Sequence, residues 1–242
     1  MNELELLNDT EEIMPENIIT KEQFVKFVEN SVKFEELMMM YRCAIREVQT
    51  KLEILNDEFQ HVHQYNPIEY IKRRIKTPES IVKKLKRYGY ESTIDNMVNY
   101  VNDIAGIRIV CSFTSDIYKI ASAISNQDDV TVLRVKDYIA TPKPNGYTSY
   151  HMIVSIPIFL TNDVIDTKVE IQIRTIAMDF WASLEHKIYY KFEGKAPAGI
   201  KDELKECANI ISFLDEKMLS INESVKHYHE DFNGGVAMSS DT

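Results

Sequence analysis

Two carboxylates on segments that resemble β-strands are the residues of this chain best suited to bind a cation. Glu170 lies in Lys168–Arg174, where apolar and polar residues alternate and the polar ones share one face. Asp103 precedes an apolar run that Arg108 interrupts and in which Gly106 allows close approach of another backbone. If these strands are neighbours, both carboxylates can bind one magnesium ion, because hard oxygen ligands suit it. A solvated strand face gives the same alternation and is the alternative.

A strongly basic segment, Lys72–Arg87, is the second candidate. Its single acid is Glu79, and its basic residues are Lys72, Arg73, Arg74, Lys76, Lys83, Lys84, Lys86 and Arg87. On a helix predicted from Pro78 to Tyr88, the side chains of Ser80, Lys84 and Arg87 lie along one face. Such a stripe can bind a triphosphate, whereas a solvated lysine-rich face is the alternative. The near absence of acids that could pair with these cations favours the first interpretation.

A loop that leads into a strand, Lys143–His151, is the third candidate. Asn145 and the glycine after it form a turn signal. Tyr147 can stack on a purine base, and Lys143 can reach a phosphate. Tyrosines beside turns are common, and His151 fits an ordinary buried histidine equally well. This loop alone therefore does not define a site.

The composition restricts the class of protein. The chain has 242 residues, a formal net charge of −10 and 44% apolar residues, which predicts a globular protein with a full core. The acidic balance argues against a general nucleic-acid binder, whose affinity depends on many cations. The chain has neither an apolar run of roughly 18 residues nor a secretory signal, so we expect a cytoplasmic protein without a membrane partner. Three separated cysteines favour reduced thiols. The sequence lacks a P-loop motif, which argues against a P-loop ATPase.

The hydrophobic periodicity predicts a mixed sheet between long helices. Strands are predicted at Ile104–Phe113, Val130–Val135, Ser149–Pro157 and Lys168–Thr175. Helices are predicted at 21–62, 78–88, 176–190 and 201–228. The predicted organisation is a flexible acidic lead-in at 1–20, an N-terminal helical region at 21–65, a core at 66–195, a C-terminal helix at 196–230 and a flexible tail at 231–242.

Several ordered motifs together resemble the synthetase domain of the RelA/SpoT family, and in particular its small stand-alone members of RelP and RelQ type. The motifs are Asn66–Glu69, Arg74–Lys76, Asp103–Arg108, Lys136–Ile139, Asn145–His151, Val169–Thr175 and Trp181–His186. The resemblance covers roughly residues 40 to 220. It implies an α+β fold similar to nucleotidyltransferases, with a mixed sheet flanked by helices and long helices at both ends.

The resemblance also implies a reaction. The 3′-hydroxyl of GDP or GTP, with GMP as a further candidate, attacks the β-phosphorus of ATP with the help of Mg²⁺, and AMP leaves. A homotetramer without a stable nucleic-acid partner is implied as well. Phosphoryl-type transfer needs in-line positioning and cations more than a covalent nucleophile, which agrees with the residues above.

The resemblance implies a role for each candidate residue. Arg74 and Arg108 bind adenine, and Lys76, Ser80, Lys84 and Arg87 bind the ATP phosphates. Asp103 and Glu170 bind the magnesium ion, and Glu170 also orients or deprotonates the hydroxyl. Tyr147 stacks on guanine, while Lys136, Lys143, Asn145, His151 and Gln172 bind the rest of the acceptor nucleotide.

Two alternatives stay open at this point. A relative of the same fold can pyrophosphorylate the 3′ end of tRNA, although the acidic balance and Tyr147 argue against that substrate. A non-catalytic module that binds nucleotides or RNA is the other alternative. The presence of both Asp103 and Glu170 argues against a non-catalytic module, because carboxylates that face a phosphate repel the phosphate unless a metal is bound.

The sequence lacks the His-Asp dyad of the family's hydrolase domain, so we expect synthesis without degradation.

A departure from the family pattern predicts weak control by the reaction product. In RelQ-type proteins a basic patch on the first helix binds the alarmone. By spacing from Pro67, the corresponding positions here are Gln49, Glu53 and Asn56, which cannot bind an anion in the same way. We therefore expect guanosine pentaphosphate at micromolar concentration to leave the initial rate unchanged. A clear rate increase on its addition contradicts this prediction.

Overall fold

The structure is a computed structural model that describes residues 21–63, 65–191 and 197–237. In chain order its elements are α1 (Lys21–His63), β1 (Ile68–Ile75), α2 (Pro78–Tyr88), α3 (Ile94–Tyr100), β2 (Ala105–Cys111), α4 (Thr114–Ser125), β3 (Thr131–Asp137), β4 (Tyr150–Phe159), β5 (Val164–Thr175), α5 (Ile176–Lys191) and α6 (Ala198–Ala237). The described residues up to Met39 and those from Met40 onward form two separate compact units. The sheet and the candidate site belong to the second unit.

The five strands form one mixed sheet in the order β1-β2-β5-β4-β3. β2 and β5 run parallel to each other, while every other neighbouring pair is antiparallel. β1 and β3 are therefore the two edges. The predicted α+β class, with a mixed sheet flanked by helices, is confirmed.

Two rows of residues cross one face of this sheet, because residues opposite each other on neighbouring strands share a face. The first row is Arg74, Gly106, Glu170, Ile153 and Arg134. The second row is Lys72, Arg108, Gln172, His151 and Lys136. We call these ten residues the polar face. The register of the strands thus gathers charged residues from five separate parts of the chain.

The opposite face of the sheet is apolar and forms the core. Its central strands contribute Ile107, Ile109, Ile171 and Ile173, each at most 1% exposed. α4 packs against β2 and β5 and buries its own isoleucines. Each such burial stabilises the fold by roughly 1.5–3 kcal/mol. The apolar face therefore holds the sheet together and leaves the polar face available for chemistry.

α2 begins and ends at the residues that the sequence predicts. The Ser80 amide donates a hydrogen bond of 3.3 Å to the side-chain oxygen of Thr77, and Pro78 occupies the start of the helix. Gly89 ends the helix in the left-handed conformation, with φ of +80°. Ile81 is fully buried, which fixes the helix with its basic side chains directed away from the core.

Some elements differ from the sequence prediction. β1 was not predicted, because it is an edge strand in which Lys72, Arg73 and Arg74 are all exposed and mask the alternation. β5 begins at Val164, ahead of the predicted start. α6 extends to Ala237, beyond its predicted end. The predicted lead-in at 1–20 and the last residues of the predicted tail lie outside the described residues.

Within the described ranges, none of the helices is both long enough and apolar enough to cross a membrane.

The loop before β4 approaches α6 closely at Gly146. The Gly146 amide donates a hydrogen bond of 2.8 Å to the carbonyl of Lys143, and the φ of Gly146 is +86°. A Cβ at this position would lie 2.5 Å from the Cβ of Ala208 in α6. Glycine is therefore required here both by the backbone conformation and by the helix.

Gly146→Ala is expected to lower the free energy of unfolding by about 2–4 kcal/mol. The backbone strain of an alanine in the left-handed conformation and the clash of its Cβ with Ala208 both contribute to this loss. Gly89→Ala is the matched control. Gly89 has nearly the same φ, +80°, but nothing lies within 4 Å of its added carbon, so its cost is about 1 kcal/mol. Urea denaturation of both variants measures the difference. Equal losses would contradict the contact with α6.

Candidate active site

Two cavities open on the polar face. The β1–β2 cavity has a volume of about 290 Å³ and is lined by Lys72, Arg73, Arg74, Gly106, Ile107, Arg108, Glu170 and Gln172. The β3–β4 cavity has a volume of about 240 Å³ and is lined by Lys84, Tyr88, Tyr100, Asn102, Asp103, Arg134, Lys136, Tyr138, Lys143, His151, Ile153 and Glu170. All ten residues of the polar face line one cavity or the other. Glu170 lines both, so the two cavities meet at this residue.

Asp103 lies in the turn directly before β2 and is bound by two lysines. Lys76 Nζ lies 3.0 Å from Oδ2, and Lys84 Nζ lies 2.8 Å from Oδ1. Burial acts to raise the pKa of Asp103, but the hydrogen bonds and charges of Lys84 and Lys76 outweigh it and leave the pKa below its usual value. Asp103 is therefore an ionised carboxylate. Its two lysines come from the end of β1 and from α2.

The donor set of the β3–β4 cavity fits one kind of metal ion. Asp103 and Glu170 both line this cavity. Among the residues that the structure describes, no group of three or more His, Cys, Asp or Glu side chains could hold a metal. Mg²⁺ uses one or two carboxylates and completes its shell with water and substrate phosphates. Two carboxylates facing a basic cavity fit that ion and do not fit a metal held by protein side chains alone.

Glu170 is held in place from two sides. Gln172 Nε2 donates a hydrogen bond of 2.8 Å to Oε2, and His151 Nδ1 lies 3.6 Å from Oε1. Burial acts to raise the pKa of Glu170, but the neighbouring His151 and Gln172 outweigh it, so the pKa lies below its usual value. Glu170 is thus an ionised carboxylate and a weak base.

His151 has a defined proton position. The Tyr147 hydroxyl accepts a hydrogen bond of 2.6 Å from Arg174 Nη2 and lies 2.7 Å from His151 Nε2. Because an arginine can only donate, the tyrosine proton is directed to Nε2. Burial lowers the pKa of His151, so the ring is neutral and carries its proton on Nδ1, on the side of Glu170.

Arg174 and Asp179 form a buried ion pair beside the polar face, on the same side of the sheet. Arg174 Nη1 donates a hydrogen bond of 3.2 Å to Asp179 Oδ1, and the two residues are 4% and 3% exposed. Arg174 also donates to Gln172 Oε1 at 3.1 Å and to Ser149 Oγ at 3.3 Å. Every nitrogen of this guanidinium therefore has an acceptor.

Asp179 binds three further residues. Arg108 Nη1 donates to Oδ1 at 3.1 Å, the Tyr70 hydroxyl donates to Oδ2 at 2.9 Å, and Lys72 Nζ lies 3.5 Å from Oδ2. Burial acts to raise the pKa of Asp179, but the Tyr70 bond and the arginine charges keep the pKa below its usual value. Burial and the bond to Asp179 also raise the pKa of Tyr70 to about 12.

Two lysines predicted to bind the acceptor nucleotide lie in β3 and in the loop before β4. Lys136 and Lys143 line the β3–β4 cavity. Lys143 Nζ lies 4.3 Å from the centre of the Tyr147 ring and 4.6 Å from that of Tyr138. The Tyr147 ring also packs against an apolar cluster around Trp181. One loop thus combines two aromatic rings with a cation.

Five predicted site residues lie outside both cavities. Two of them contact a residue that lines the β3–β4 cavity, since Lys76 lies 3.0 Å from Asp103 and the Tyr147 hydroxyl lies 2.7 Å from His151. Ser80 is exposed at the start of α2 and accepts a hydrogen bond of 3.0 Å from Thr77. Arg87 is exposed, with its guanidinium 5.4 Å from the centre of the Tyr88 ring. Asn145 donates to Glu185 Oε1 at 3.2 Å and faces a separate cavity beside α6. The roles expected for these five residues, like those of the other site residues, stay predictions.

Sequence reasoning missed several residues of the site. Arg134 and Tyr138 line the β3–β4 cavity, and the pair Arg174 and Asp179 lies beside the polar face on the same side of the sheet. The signal for Asp179 was an acid inside the apolar run Ile176–Trp181 at the start of a helix. A buried carboxylate needs cationic partners, but the sequence does not say which ones.

Comparisons with known proteins agree with this geometry. Residues 73–195 match the profile of the "Region found in RelA / SpoT proteins". The GTP pyrophosphokinase YwaC of Bacillus subtilis is 52% identical over 188 residues, which cover 78% of this chain and 90% of that protein.

Solved structures show the same likeness. Small alarmone synthetase 2 of B. subtilis superposes with a TM-score of 0.72 at 49% identity and covers 79% of this chain and 98% of its own. Small alarmone synthetase 1 of B. subtilis, bound to its product pppGpp, gives a TM-score of 0.73 at 35% identity, with 80% and 98% covered. Profile, sequence and fold agree, and the chain belongs to the RelA/SpoT family.

Proposed function

We propose that this chain is a GTP or GDP pyrophosphokinase that transfers the β- and γ-phosphates of ATP to the 3′-hydroxyl of the guanine nucleotide and releases AMP. The observation that carries the proposal is the position of Glu170, which lines both cavities. A donor in one cavity and an acceptor in the other meet at this carboxylate. Two relatives support it, since YwaC is named a GTP pyrophosphokinase and synthetase 1 is described with its product pppGpp.

In this proposal the β1–β2 cavity binds the base of ATP. Arg74 and Arg108 both line it, and planar guanidinium groups stack on aromatic rings. Gly106 lies between Arg74 and Glu170 in the first row of the polar face. The absence of a side chain there leaves room for a nucleotide between the two strands.

The ATP phosphates extend from that cavity toward Asp103. Lys76 and Lys84 already lie within 3.0 Å of its carboxylate, where they can be shared with phosphate oxygens. Asp103 and Glu170 are the proposed ligands of Mg²⁺. When bound, the ion neutralises negative charge on the phosphates during transfer. Ser80 and Arg87 are proposed to contact the outer phosphates from the exposed face of α2.

The β3–β4 cavity binds the acceptor in this proposal. Tyr147 stacks on guanine, and Lys136 and Lys143 bind the 5′-phosphates. Glu170 accepts a hydrogen bond from the 3′-hydroxyl and aligns it with the β-phosphorus. Because its pKa lies below its usual value, Glu170 contributes more by alignment than by removing the proton. This agrees with a loose transition state, which needs little help from a base.

Self-association and a cytoplasmic location are part of the proposal. Exposed apolar residues recur along α6 at helical spacing, namely Ile210, Leu214, Met218, Ile221 and Val225. Such a stripe is typical of a helix that packs against another chain. We expect light scattering to give the mass of a tetramer, and a monomer at micromolar concentration contradicts this.

Glu170→Gln is expected to lower kcat at least about 100-fold, because the uncharged amide neither aligns the hydroxyl nor binds the cation as well. The measurement is the initial rate of product formation from ATP with GMP, GDP, GTP or tRNA as acceptor. Asp166→Asn is the matched control, since Asp166 lies exposed on the same strand, and its rate should stay within about twofold of wild type. Full activity of Glu170→Gln contradicts the proposed role, and transfer to tRNA alone favours the other acceptor.

A further inference from the structure

Asp179 contacts both halves of the site although it lines neither cavity. Its atom Oδ1 accepts one hydrogen bond from Arg108 and another from Arg174, at 3.1 and 3.2 Å. These arginines lie on the neighbouring strands β2 and β5, close enough for their charges to interact. Without the carboxylate, two guanidinium groups would repel each other in a poorly hydrated place.

We propose that Asp179 is a positioning residue that fixes the geometry of the ATP subsite and the guanine-nucleotide subsite at the same time. Asp179 binds two arginines, Arg108 and Arg174, and we call these two contacts the Arg108 arm and the Arg174 arm. The inference rests on the proposed function, because it assigns the Arg108 arm to ATP and the Arg174 arm to the guanine nucleotide.

The Arg108 arm leads to the β1–β2 cavity. In the described chain, Asp179 is the only residue that accepts a hydrogen bond from Arg108, and Arg108 Nε is buried without a partner. The bond at Nη1 therefore determines the position of the guanidinium plane. A guanidinium group whose flat face stacks on a base can be held only through its edge, and Asp179 binds the edge of the Arg108 guanidinium at Nη1.

The Arg174 arm leads to Glu170 by two routes. Through Gln172, Arg174 Nη2 fixes the amide that donates to Glu170 Oε2. Through the Tyr147 hydroxyl, the same nitrogen fixes His151, whose Nδ1 faces Glu170 Oε1. Tyr147, Gln172 and Glu170 thus all depend on the orientation of one buried guanidinium, which Asp179 holds.

A purely structural role for Asp179 is the competing explanation. An acid in the first turn of a helix is favourable there, and Asp179 lies in the first turn of α5. That role predicts a loss of stability and nothing else. The chain offers a matched comparison in Asp116, which lies in the first turn of α4, is 1% exposed and accepts hydrogen bonds from Tyr65 and the Phe113 amide. Asp116 does not line either cavity.

The test compares Asp179→Asn with Asp116→Asn in the full-length protein. Asp179→Asn is expected to raise the KM for ATP and the KM for GDP at least about tenfold each, because charged hydrogen bonds to both arms are lost. Asp116→Asn should lower the melting temperature and leave both KM values within about twofold of wild type. Calorimetric titration with a non-hydrolysable ATP analogue provides a binding measurement that does not depend on turnover.

Second substitutions separate the two arms. In an Arg108→Gln background, Asp179→Asn should add less than about twofold to the KM for ATP while still raising the KM for GDP. Arg174→Gln alone should raise the KM for GDP and leave the KM for ATP within about twofold, which keeps the test open if Asp179→Asn does not fold.

Four outcomes are distinguishable. Unchanged KM values in Asp179→Asn overturn the inference. The inference is also overturned if Asp179→Asn raises the KM for ATP by the same factor in the wild-type and in the Arg108→Gln background. If Arg174→Gln leaves the KM for GDP unchanged, the acceptor arm is wrong. Absence of pyrophosphate transfer by the wild-type protein overturns the proposed function instead, and the two failures cannot be confused.

Discussion

The parallel pairing of β2 with β5 determines where the charged groups of the site lie. It sets Gly106 opposite Glu170 and Arg108 opposite Gln172. It also brings Asp103, in the turn before β2, into the cavity that Glu170 lines. A shift of one residue would move Glu170 to the apolar face and an isoleucine into the cavities. The buried isoleucines on the other face resist such a shift, so the core fixes the site.

The charged residues on this side of the sheet differ in exposure. The polar face is mostly basic and exposed to solvent at its cavities, whereas the pair Arg174 and Asp179 lies beside it and is almost fully buried. Buried pairs add little net stability but are costly to break. Their contribution here is geometric, since Arg174 binds two side chains that in turn hold Glu170. The acidic net charge of −10 keeps long polyanions away, while the local basic surface attracts small ones.

Local signals in the sequence predicted the local structure well. The start of α2 at Pro78 and its end at Tyr88 were predicted correctly, because caps and stops are encoded within a few residues. β1 was not readable, because an edge strand need not alternate when both its faces carry exposed basic residues. The contact of Gly146 with α6 was also hidden, since it joins two segments that are distant in the chain.

The same division applies to the candidate site. The motifs around Asp103, Glu170 and Lys143 were recognised from residue type and spacing, and the fold brings these three residues to one cavity. Asp179 was missed, because its partners Arg108 and Arg174 are specified only by the folded sheet. Nor could the sequence say that Asn145 faces Glu185 rather than the acceptor cavity. Partners set by tertiary packing lie beyond local patterns.

The most direct test of the proposed reaction follows each phosphate of ATP. The purified protein is incubated with GDP, Mg²⁺ and ATP that carries an isotopic label on either the β- or the γ-phosphate, and the nucleotides are separated. The account predicts that both labels enter the guanine nucleotide at its 3′-position and that AMP appears unlabelled in equal amount. Transfer of the γ-label alone, with formation of ADP, would contradict it.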